Sequence, residues 1–107
     1  MREKSYQTGT SEAEQNSREK ARAFLDSARI RRNFDDLEGA LRDLRMSIIS
    51  DPTYPEAYVI RGMIFAQKGM HVAARRNIRN ALALGGSEWS YSGLVRECLS
   101  RIDRSAA

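Results

Sequence analysis

The sequence is poor in residues that cross-link or ligate. Its 107 residues include one cysteine, Cys98, one histidine, His71, and two prolines. A single cysteine excludes an internal disulfide framework and a multi-cysteine zinc site. No apolar run is long enough to span a bilayer, and the N-terminus lacks the apolar stretch of a signal peptide. We therefore expect a soluble domain in a reducing, cytoplasmic setting.

The chain also lacks the short motifs of common catalytic centres. It contains no Gly-rich phosphate loop, nucleophile elbow, HExxH zinc motif or calcium loop. We therefore expect no enzyme activity, no catalytic residue, no metal site and no cofactor. His71 and Cys98 are expected to pack between helices, with a ligand or acid-base role for His71 as the alternative. Asp35 and Asp36 are expected to cap a helix rather than bind a metal.

The composition that remains is that of one small globular domain. Hydrophobic residues make up 41% of the chain and charged residues 30%, and 18 Lys and Arg against 14 Asp and Glu give a net charge of +4. Residues 1–16 are polar, with Tyr6 as their one large apolar group, and are predicted to form a disordered arm. The folded domain is predicted over residues 17–107.

From Ser17 onward, apolar residues recur every three or four positions, which is the period of an amphipathic helix. The pattern predicts five helices and no strand, hence an all-α fold. The predicted helix ends lie near Asn33, before Pro52, at Gly69, at Gly85 and Gly86, and near Ile102. Four helix starts are predicted from cap residues. Asn16, Asp35 and Thr53 each precede a Glu by three positions, which is the pattern of a capping box, and Ser87 is predicted to cap the last helix.

An internal repeat relates the two halves of the helical region. Residues 21–54 align with residues 55–88 without a gap, and small or bulky residues coincide at six pairs of positions. The aligned pairs are Phe24 and Tyr58, Ala28 and Gly62, Ala40 and Ala74, Leu44 and Ile78, Ser47 and Ala81, and Ile48 and Leu82. This period and pattern resemble the tetratricopeptide repeat (TPR). Arg31 and Arg61 stand where that family usually has an aromatic residue and a leucine.

The resemblance implies a right-handed superhelical stack of helical hairpins, with repeats at about 21–54 and 55–88 and a capping helix at about 88–103. It also implies a non-enzymatic adaptor or assembly factor that binds a peptide or helix of a partner protein, possibly an acidic one, in a concave groove. The alternative is that the residues of this groove form the ordinary inner wall of the helical stack and bind no ligand. The positions that the family uses for this groove are Leu25, Arg29, Arg32, Asn33, Val59, Met63, Ala66, Gln67, Ser92, Arg96 and Leu99.

Some relatives hold the C-terminal carboxylate of heat-shock chaperones with a Lys/Asn clamp in the groove. Leu25, Arg29 and Met63 stand at the equivalent positions here and argue against that ligand.

A second predicted surface is a basic ridge on the outer helices, formed by Arg42, Arg45, Arg75, Arg76 and Arg79. It provides the alternative function, electrostatic binding of nucleic acid or another anionic surface. The simpler interpretation is a solvated face in which Glu38 and Asp43 neutralise the arginines. Because two and a half repeats bury limited area, we expect a monomer or weak homodimer, with a stable dimer through Trp89 as the alternative.

Overall fold

The computed structural model describes residues 11–106, which form five α-helices and, within that range, no strand. The all-α prediction with five helices is confirmed. No helix within this range combines the length and the apolar character that crossing a membrane requires. The helices are α1 (Glu12–Asn33), α2 (Leu37–Ser50), α3 (Pro55–Gln67), α4 (His71–Gly85) and α5 (Ser92–Ala106).

The helices form a stack of hairpins. Helices α1 and α2 pack as one hairpin, α3 and α4 as the next, and α5 packs on α4, while α3 also contacts α2 and α1. One core cluster, including Leu25, Leu44 and Ile64, joins the first hairpin to α3. A second, including Ile78 and Val95, joins α4 to α5. Helix α3 links the two clusters, because Ile64 belongs to the first while Val59 and Phe65 pack against the second.

The small residues of the repeat lie where the helices approach most closely. Ala40 and Ala74, which align with each other in the two repeats, are both completely buried. A Cβ atom added to Gly62 would lie 2.8 Å from Ile78 Cδ1 and 3.1 Å from the Ala74 carbonyl oxygen. Since real Cβ atoms rarely come this close to other atoms, α3 and α4 could not keep their separation with a larger residue there.

Polar links between paired helices follow the same period. In the first hairpin Ser27 Oγ donates to Asp43 Oδ2 at 2.6 Å. In the second, Arg61 Nε donates to Asn77 Oδ1 at 2.7 Å, and these two residues align with Ser27 and Asp43 in the repeat. Arg61 therefore makes a bond across its hairpin where the family would place a leucine.

Two residues of the first repeat depart from the family pattern and bind within the first hairpin: Arg31 stands where that pattern has an aromatic residue, and Ser47 where it has an alanine. Arg31 donates from Nε to Asp43 Oδ2 at 2.9 Å and from Nη1 to Asp36 Oδ2 at 3.0 Å. Ser47 is fully buried, and its Oγ donates to the Ala21 carbonyl oxygen at 2.7 Å. Hydrogen bonds between α1 and α2 thus replace part of the apolar packing that the repeat pattern would supply.

The turns inside the two hairpins have the same geometry. After α1, the Asp36 amide donates to the Arg31 carbonyl and Asp35 has a φ of 64°. After α3, the Met70 amide donates to the Phe65 carbonyl and Gly69 has a φ of 77°. Both are Schellman turns, in which a left-handed residue allows the amide two positions beyond the cap to reach back into the helix.

The predicted start of α1 is wrong by five residues. The helix begins at Glu12 rather than at Ser17, and Ser11 caps it in place of Asn16. Ser11 Oγ accepts the Glu14 amide at 3.2 Å, while Glu14 Oε1 accepts the Ser11 amide at 2.9 Å. This capping box makes residues 11–16 part of the first helical segment rather than of a disordered arm. Residues 1–10 of the predicted arm lie outside the described residues.

Two further caps differ from the prediction. Asp36, not Asp35, caps α2, because Asp35 already occupies the left-handed position of the preceding turn. Thr53 does not cap α3; its hydroxyl donates to Asp51 Oδ1 at 2.7 Å, and Tyr54 precedes the helix without a side-chain bond. With Pro55 at the first helical position, one amide fewer requires a partner.

The fifth helix is shifted toward the C-terminus. Ser87 does not cap it, because residues 87–91 form consecutive turns, with the Trp89 amide bound to the Gly86 carbonyl and the Ser92 amide to the Trp89 carbonyl. The helix runs from Ser92 to Ala106 instead of about 88–103.

Candidate partner-binding groove

An open groove of about 1050 Å³ lies between α1, α3 and α5. The first helix of each hairpin lines it, as the repeat pattern predicts. Two side chains around the start of α5 are largely exposed there, Tyr91 at 52% and Leu94 at 71%. A surface of this kind can bury apolar groups of a partner. The aromatic and aliphatic residues that line the groove are Tyr54, Pro55, Val59, Ile60, Met63, Trp89, Tyr91, Leu94 and Val95.

The aromatic side of the groove is fixed by the turn after α4. The Trp89 ring lies directly on Gly85, since a Cβ atom at Gly85 would overlap it, and it packs against the second core cluster. Tyr91 meets Trp89 edge to face, with ring centroids 6.0 Å apart and an interplanar angle of 75°. This arrangement is favourable for aromatic pairs and orders the exposed Tyr91 ring. Glycine at position 85 is therefore required for the indole to reach its place.

Charged residues of both signs surround the apolar floor. The groove is lined by four arginines and five carboxylates. The groove lining is therefore of mixed charge, because Glu and Asp side chains accompany the arginines along its length, and it does not single out the acidic partner that the sequence predicts as possible. The arginines are Arg18, Arg22, Arg29 and Arg101, and the carboxylates are Glu19, Asp26, Asp51, Glu56 and Glu97.

The mixed charge also acts on Tyr54 at the start of α3. Burial raises the pKa of its phenol, and the nearby carboxylates Glu56 and Asp26 raise it further. Arg22 and Arg29 oppose this effect by lowering the same pKa. Since the pKa lies above its ordinary value, Tyr54 offers the groove a neutral hydroxyl near pH 7.

A smaller pocket of about 350 Å³, here termed the end pocket, adjoins the groove. Met63, Cys98 and Arg101 line both spaces. The end pocket contains two arginines and His71 but no carboxylate among its lining residues, unlike the groove. Its lining residues are Arg32, Met63, Ala66, Gln67, His71, Cys98, Arg101, Ile102 and Ser105.

Cys98 lies half-buried between the groove and the end pocket. Burial raises the pKa of its thiol, whereas the positive charges of Arg101 and Arg32 act in the opposite direction. Burial prevails, so the thiol is protonated near pH 7 and is a weak nucleophile. Its predicted packing role agrees with its contact with the second core cluster.

The structure brings together six of the eleven predicted groove residues. Arg29, Val59 and Met63 line the groove, and Arg32, Ala66 and Gln67 line the end pocket with Met63. Arg32 Nε donates to Gln67 Oε1 at 2.7 Å, which joins α1 to the end of α3.

The other five predicted groove residues lie elsewhere. Leu25 is 1% exposed and belongs to the first core cluster, because it shares one face of α1 with Ala28. Ser92 is buried and Leu99 packs against the second core cluster, so neither faces the groove. Asn33 and Arg96 are exposed outside both spaces.

Five of the groove residues that the sequence prediction missed lie on α5, and the others lie on α1, on α3 and in the turns before α3 and α5. The buried side chains Val95 and Ile102 fix which face of α5 turns inward. Leu94, Cys98 and Arg101 then face the groove, two positions beyond the predicted Ser92, Arg96 and Leu99. Because two residues correspond to about 200° on a helix, this shift exchanges inner and outer faces. The spacing of Val95 and Ile102 was the available signal.

On the outer helices, the acidic residues predicted to neutralise the basic ridge bind elsewhere. Asp43 pairs with Arg31 of α1 at 2.9 Å, and Glu38 pairs with Lys68. Arg75 is partly buried and lies 3.7 Å from Asp103. Within residues 11–105, the other four ridge arginines form no ion pair and are exposed: Arg42, Arg45, Arg76 and Arg79.

No three His, Cys, Asp or Glu side chains within residues 11–105 come together as metal ligands. His71 begins α4 and its Nδ1 is buried, with no hydrogen-bond partner among the described residues. No protein-family model, curated protein or solved structure matches this chain. The likeness to the tetratricopeptide repeat therefore rests on the internal repeat alone.

Proposed function

We propose that this chain is a non-enzymatic interaction module of the tetratricopeptide type that binds a segment of a partner protein in the groove between α1, α3 and α5. The observation that carries the proposal is the solvent-exposed apolar floor of the groove. Leu94 and Tyr91 are largely exposed there, next to the half-buried Trp89 ring. Turns, polar links and buried alanines that recur at aligned positions of the two hairpins support the repeat assignment. A cytoplasmic location belongs to the same proposal.

The bound segment is an amphipathic helix or an extended peptide. Its apolar side chains would cover Leu94 and Met63, and both signs of charge along the rim would pair with charged residues flanking them. In such interfaces a few central apolar residues provide most of the affinity, so Leu94 is the side chain to change. An acidic segment is not favoured along the whole groove.

The test compares two exposed apolar positions. Leu94→Asp places a charge on the groove floor, whereas Ile49→Asp changes a side chain of similar exposure on α2, outside the groove. In a crosslinking pulldown from the native source, Leu94→Asp should reduce capture at least about tenfold, and Ile49→Asp should not. Circular dichroism should show unchanged helicity in both. Equal capture by the two variants would contradict the groove assignment.

A second function is supported by the unpaired ridge arginines. Glu38 pairs with Lys68 and Asp43 with Arg31, so neither carboxylate neutralises the ridge. Arg45 and Arg79 can therefore bind an anionic partner such as RNA. Arg45→Glu with Arg79→Glu should abolish RNA binding and its steep salt dependence, while Arg96→Glu on α5 serves as the control. Unchanged RNA binding by the double variant would leave the ridge as a solvated surface.

A further inference from the structure

The end pocket differs from the groove in its charge. The groove mixes arginines with carboxylates, but the end pocket is lined by Arg32, Arg101 and His71 and, among the residues that the structure describes, by no carboxylate. Gln67 and Ser105 add polar groups that can donate hydrogen bonds. Four helices contribute to this pocket, since Arg32 comes from α1, Gln67 from α3, His71 from α4, and the remaining polar groups from α5.

Arg32 is held in position for a ligand. Its Nε donates to Gln67 Oε1 at 2.7 Å, which orients the guanidinium and leaves both Nη groups without an acceptor among the described residues. A planar guanidinium fixed in this way can offer two parallel donors to an oxyanion. Because the orientation is already set, less side-chain entropy is lost on binding.

Arg101 is only loosely paired. Its Nε lies 3.6 Å from Glu97 Oε2, and the same carboxylate oxygen also lies 3.4 Å from Arg104 Nη2. The Glu97 charge is thus shared between two arginines. A ligand oxyanion can therefore bind Arg101 without displacing a tight ion pair.

The Cys98 thiol responds to the positive charge of both pocket arginines. Both Arg101 and Arg32 lower its pKa, although burial outweighs them. Both guanidinium groups, which line the same pocket as Cys98, therefore lie near enough to act on this half-buried thiol. His71 stands beside it with a buried Nδ1 that has no hydrogen-bond partner among the described residues. An unpartnered buried nitrogen is costly, and a phosphate oxygen that accepted a hydrogen bond from an Nδ1–H would remove that cost.

We propose that the end pocket binds the phosphate group of a phosphorylated serine or threonine in the segment that occupies the groove. Two arginines balance the charge of a phosphate monoester, which approaches −2 near neutral pH, whereas a carboxylate would balance only one of them. Met63, Cys98 and Arg101 border both spaces, so a segment in the groove extends directly into the pocket. This inference rests on the proposed groove function.

The test measures binding of a minimal phosphorylated residue without any partner protein. N-acetyl-O-phosphoserine N-methylamide is titrated into ¹⁵N-labelled full chain at constant ionic strength, and the Nε–H signals of Arg32 and Arg101 are followed by NMR. We expect saturable shifts of both signals. The unphosphorylated compound and acetate should bind at least about tenfold more weakly.

Variants identify the site. Arg32→Gln and Arg101→Gln should each weaken phosphoserine binding about tenfold or more, and Arg32→Lys, which keeps the charge but loses the planar fork, should weaken it in part. Arg45→Gln, which removes an exposed arginine of α2, should have no effect. Thermal melts establish that each variant is folded, and the directly observed Arg101 signal tests the pocket even if Arg32→Gln is unstable.

Three outcomes would overturn the inference. Shifts that are linear in concentration and equal at Arg45 would indicate an adventitious anion only. Tighter binding of inorganic phosphate than of the capped phosphoserine would indicate a pocket closed to an ester. If acetate bound as tightly as the capped phosphoserine, the pocket would not select a dianion over a single carboxylate.

The two proposals fail separately. Phosphoserine binding that persists in Leu94→Asp is expected, because Leu94 lines the groove and not the end pocket. Leu94-dependent partner capture without saturable phosphoserine binding would overturn the pocket assignment alone. Phosphoserine binding together with Leu94-independent capture would overturn the groove assignment and the link between groove and pocket.

Discussion

Replacing Asp35 by glycine should stabilise the protein. Asp35 has a φ of 64°, in the left-handed region, and it occupies the same position in its Schellman turn as Gly69 does in the second hairpin. A side chain disfavours this conformation by about 1–2 kcal/mol, and somewhat less for Asp than for most residues. The helix-ending turn therefore stores strain that glycine would remove.

The expected magnitude follows from two opposing effects. Relief of the left-handed conformation contributes about 1 kcal/mol for Asp35→Gly, and the greater freedom of glycine in the unfolded chain costs about 0.5 kcal/mol. The net gain is about 0.5 kcal/mol. Gly69→Ala should be the reverse case and lose about 1 kcal/mol of stability. No atom lies within 4 Å of the added Cβ, so this loss would come from the backbone conformation and not from a clash.

Chemical denaturation followed by circular dichroism and by Trp89 fluorescence measures both changes. Asp35→Ala is the matched control, since it removes the same charge but keeps the left-handed strain. The ranking of stability at position 35 should be Gly, then Asp, then Ala, with about 1 kcal/mol or more between Gly and Ala. If Asp35→Ala were as stable as Asp35→Gly, the charge rather than the backbone conformation would be responsible, and the turn equivalence would lose its support.

Other changes probe the packing, the acid response and the assembly state. Ala74→Leu should cost about 1–3 kcal/mol, because Ala74 is completely buried opposite Gly62, and an unchanged melting temperature would contradict the close approach of α3 and α4. The pKa of Asp36 is lowered, chiefly by the Gly39 amide and then by Arg31, so its stabilising effect is complete above the ordinary pKa of 3.8 and is lost as pH falls through the lower folded value. Asp36→Asn should therefore reduce the loss of stability on acidification, as measured by denaturation at several pH values; an identical pH profile would refute this. Sedimentation equilibrium should show a monomer or weak dimer, and a concentration-independent dimer mass would contradict that expectation.

The helices and most of their ends could be predicted from the sequence because the relevant interactions are local. Apolar spacing indicated all five helices, and Pro52, Gly69 and Gly86 marked the ends of α2, α3 and α4. Helix starts were less predictable, since Ser, Thr, Asn and Asp occur at several neighbouring positions and only one of them reaches the free amides. Asp35 and Asp36 show this, because the preceding turn decides which of the two caps α2.

The groove on α1 and α3 was predictable only in part, because the two helices bury different faces. Helix α3 packs on α2 as well as on α4, and therefore buries Ala57, Ile60 and Ile64 against the first core cluster. Val59 is left facing the groove. The equivalent Leu25 of α1 is buried instead, since α1 turns its apolar side chains toward α2 and α3. A repeat pattern assigns equivalent positions, but the neighbours on each side decide which face is free.

The separation of charge in the molecule follows from polar bonds within the hairpins. Asp43 and Asp36 both bind Arg31, and Glu38 binds Lys68, so the carboxylates of α2 are committed to holding the stack together. Four ridge arginines and Arg32 of the end pocket consequently form no ion pair within residues 11–105, whereas Arg75 pairs with Asp103 and Arg101 pairs loosely with Glu97. Breaking one internal bond should therefore change the outer surface as well. In Arg31→Leu, which places an apolar residue at that repeat position, Asp43 would lose its ion pair and keep only the Ser27 hydrogen bond, so its charge would no longer be neutralised. RNA binding by the ridge should then weaken, while the phosphoserine affinity of the end pocket stays the same.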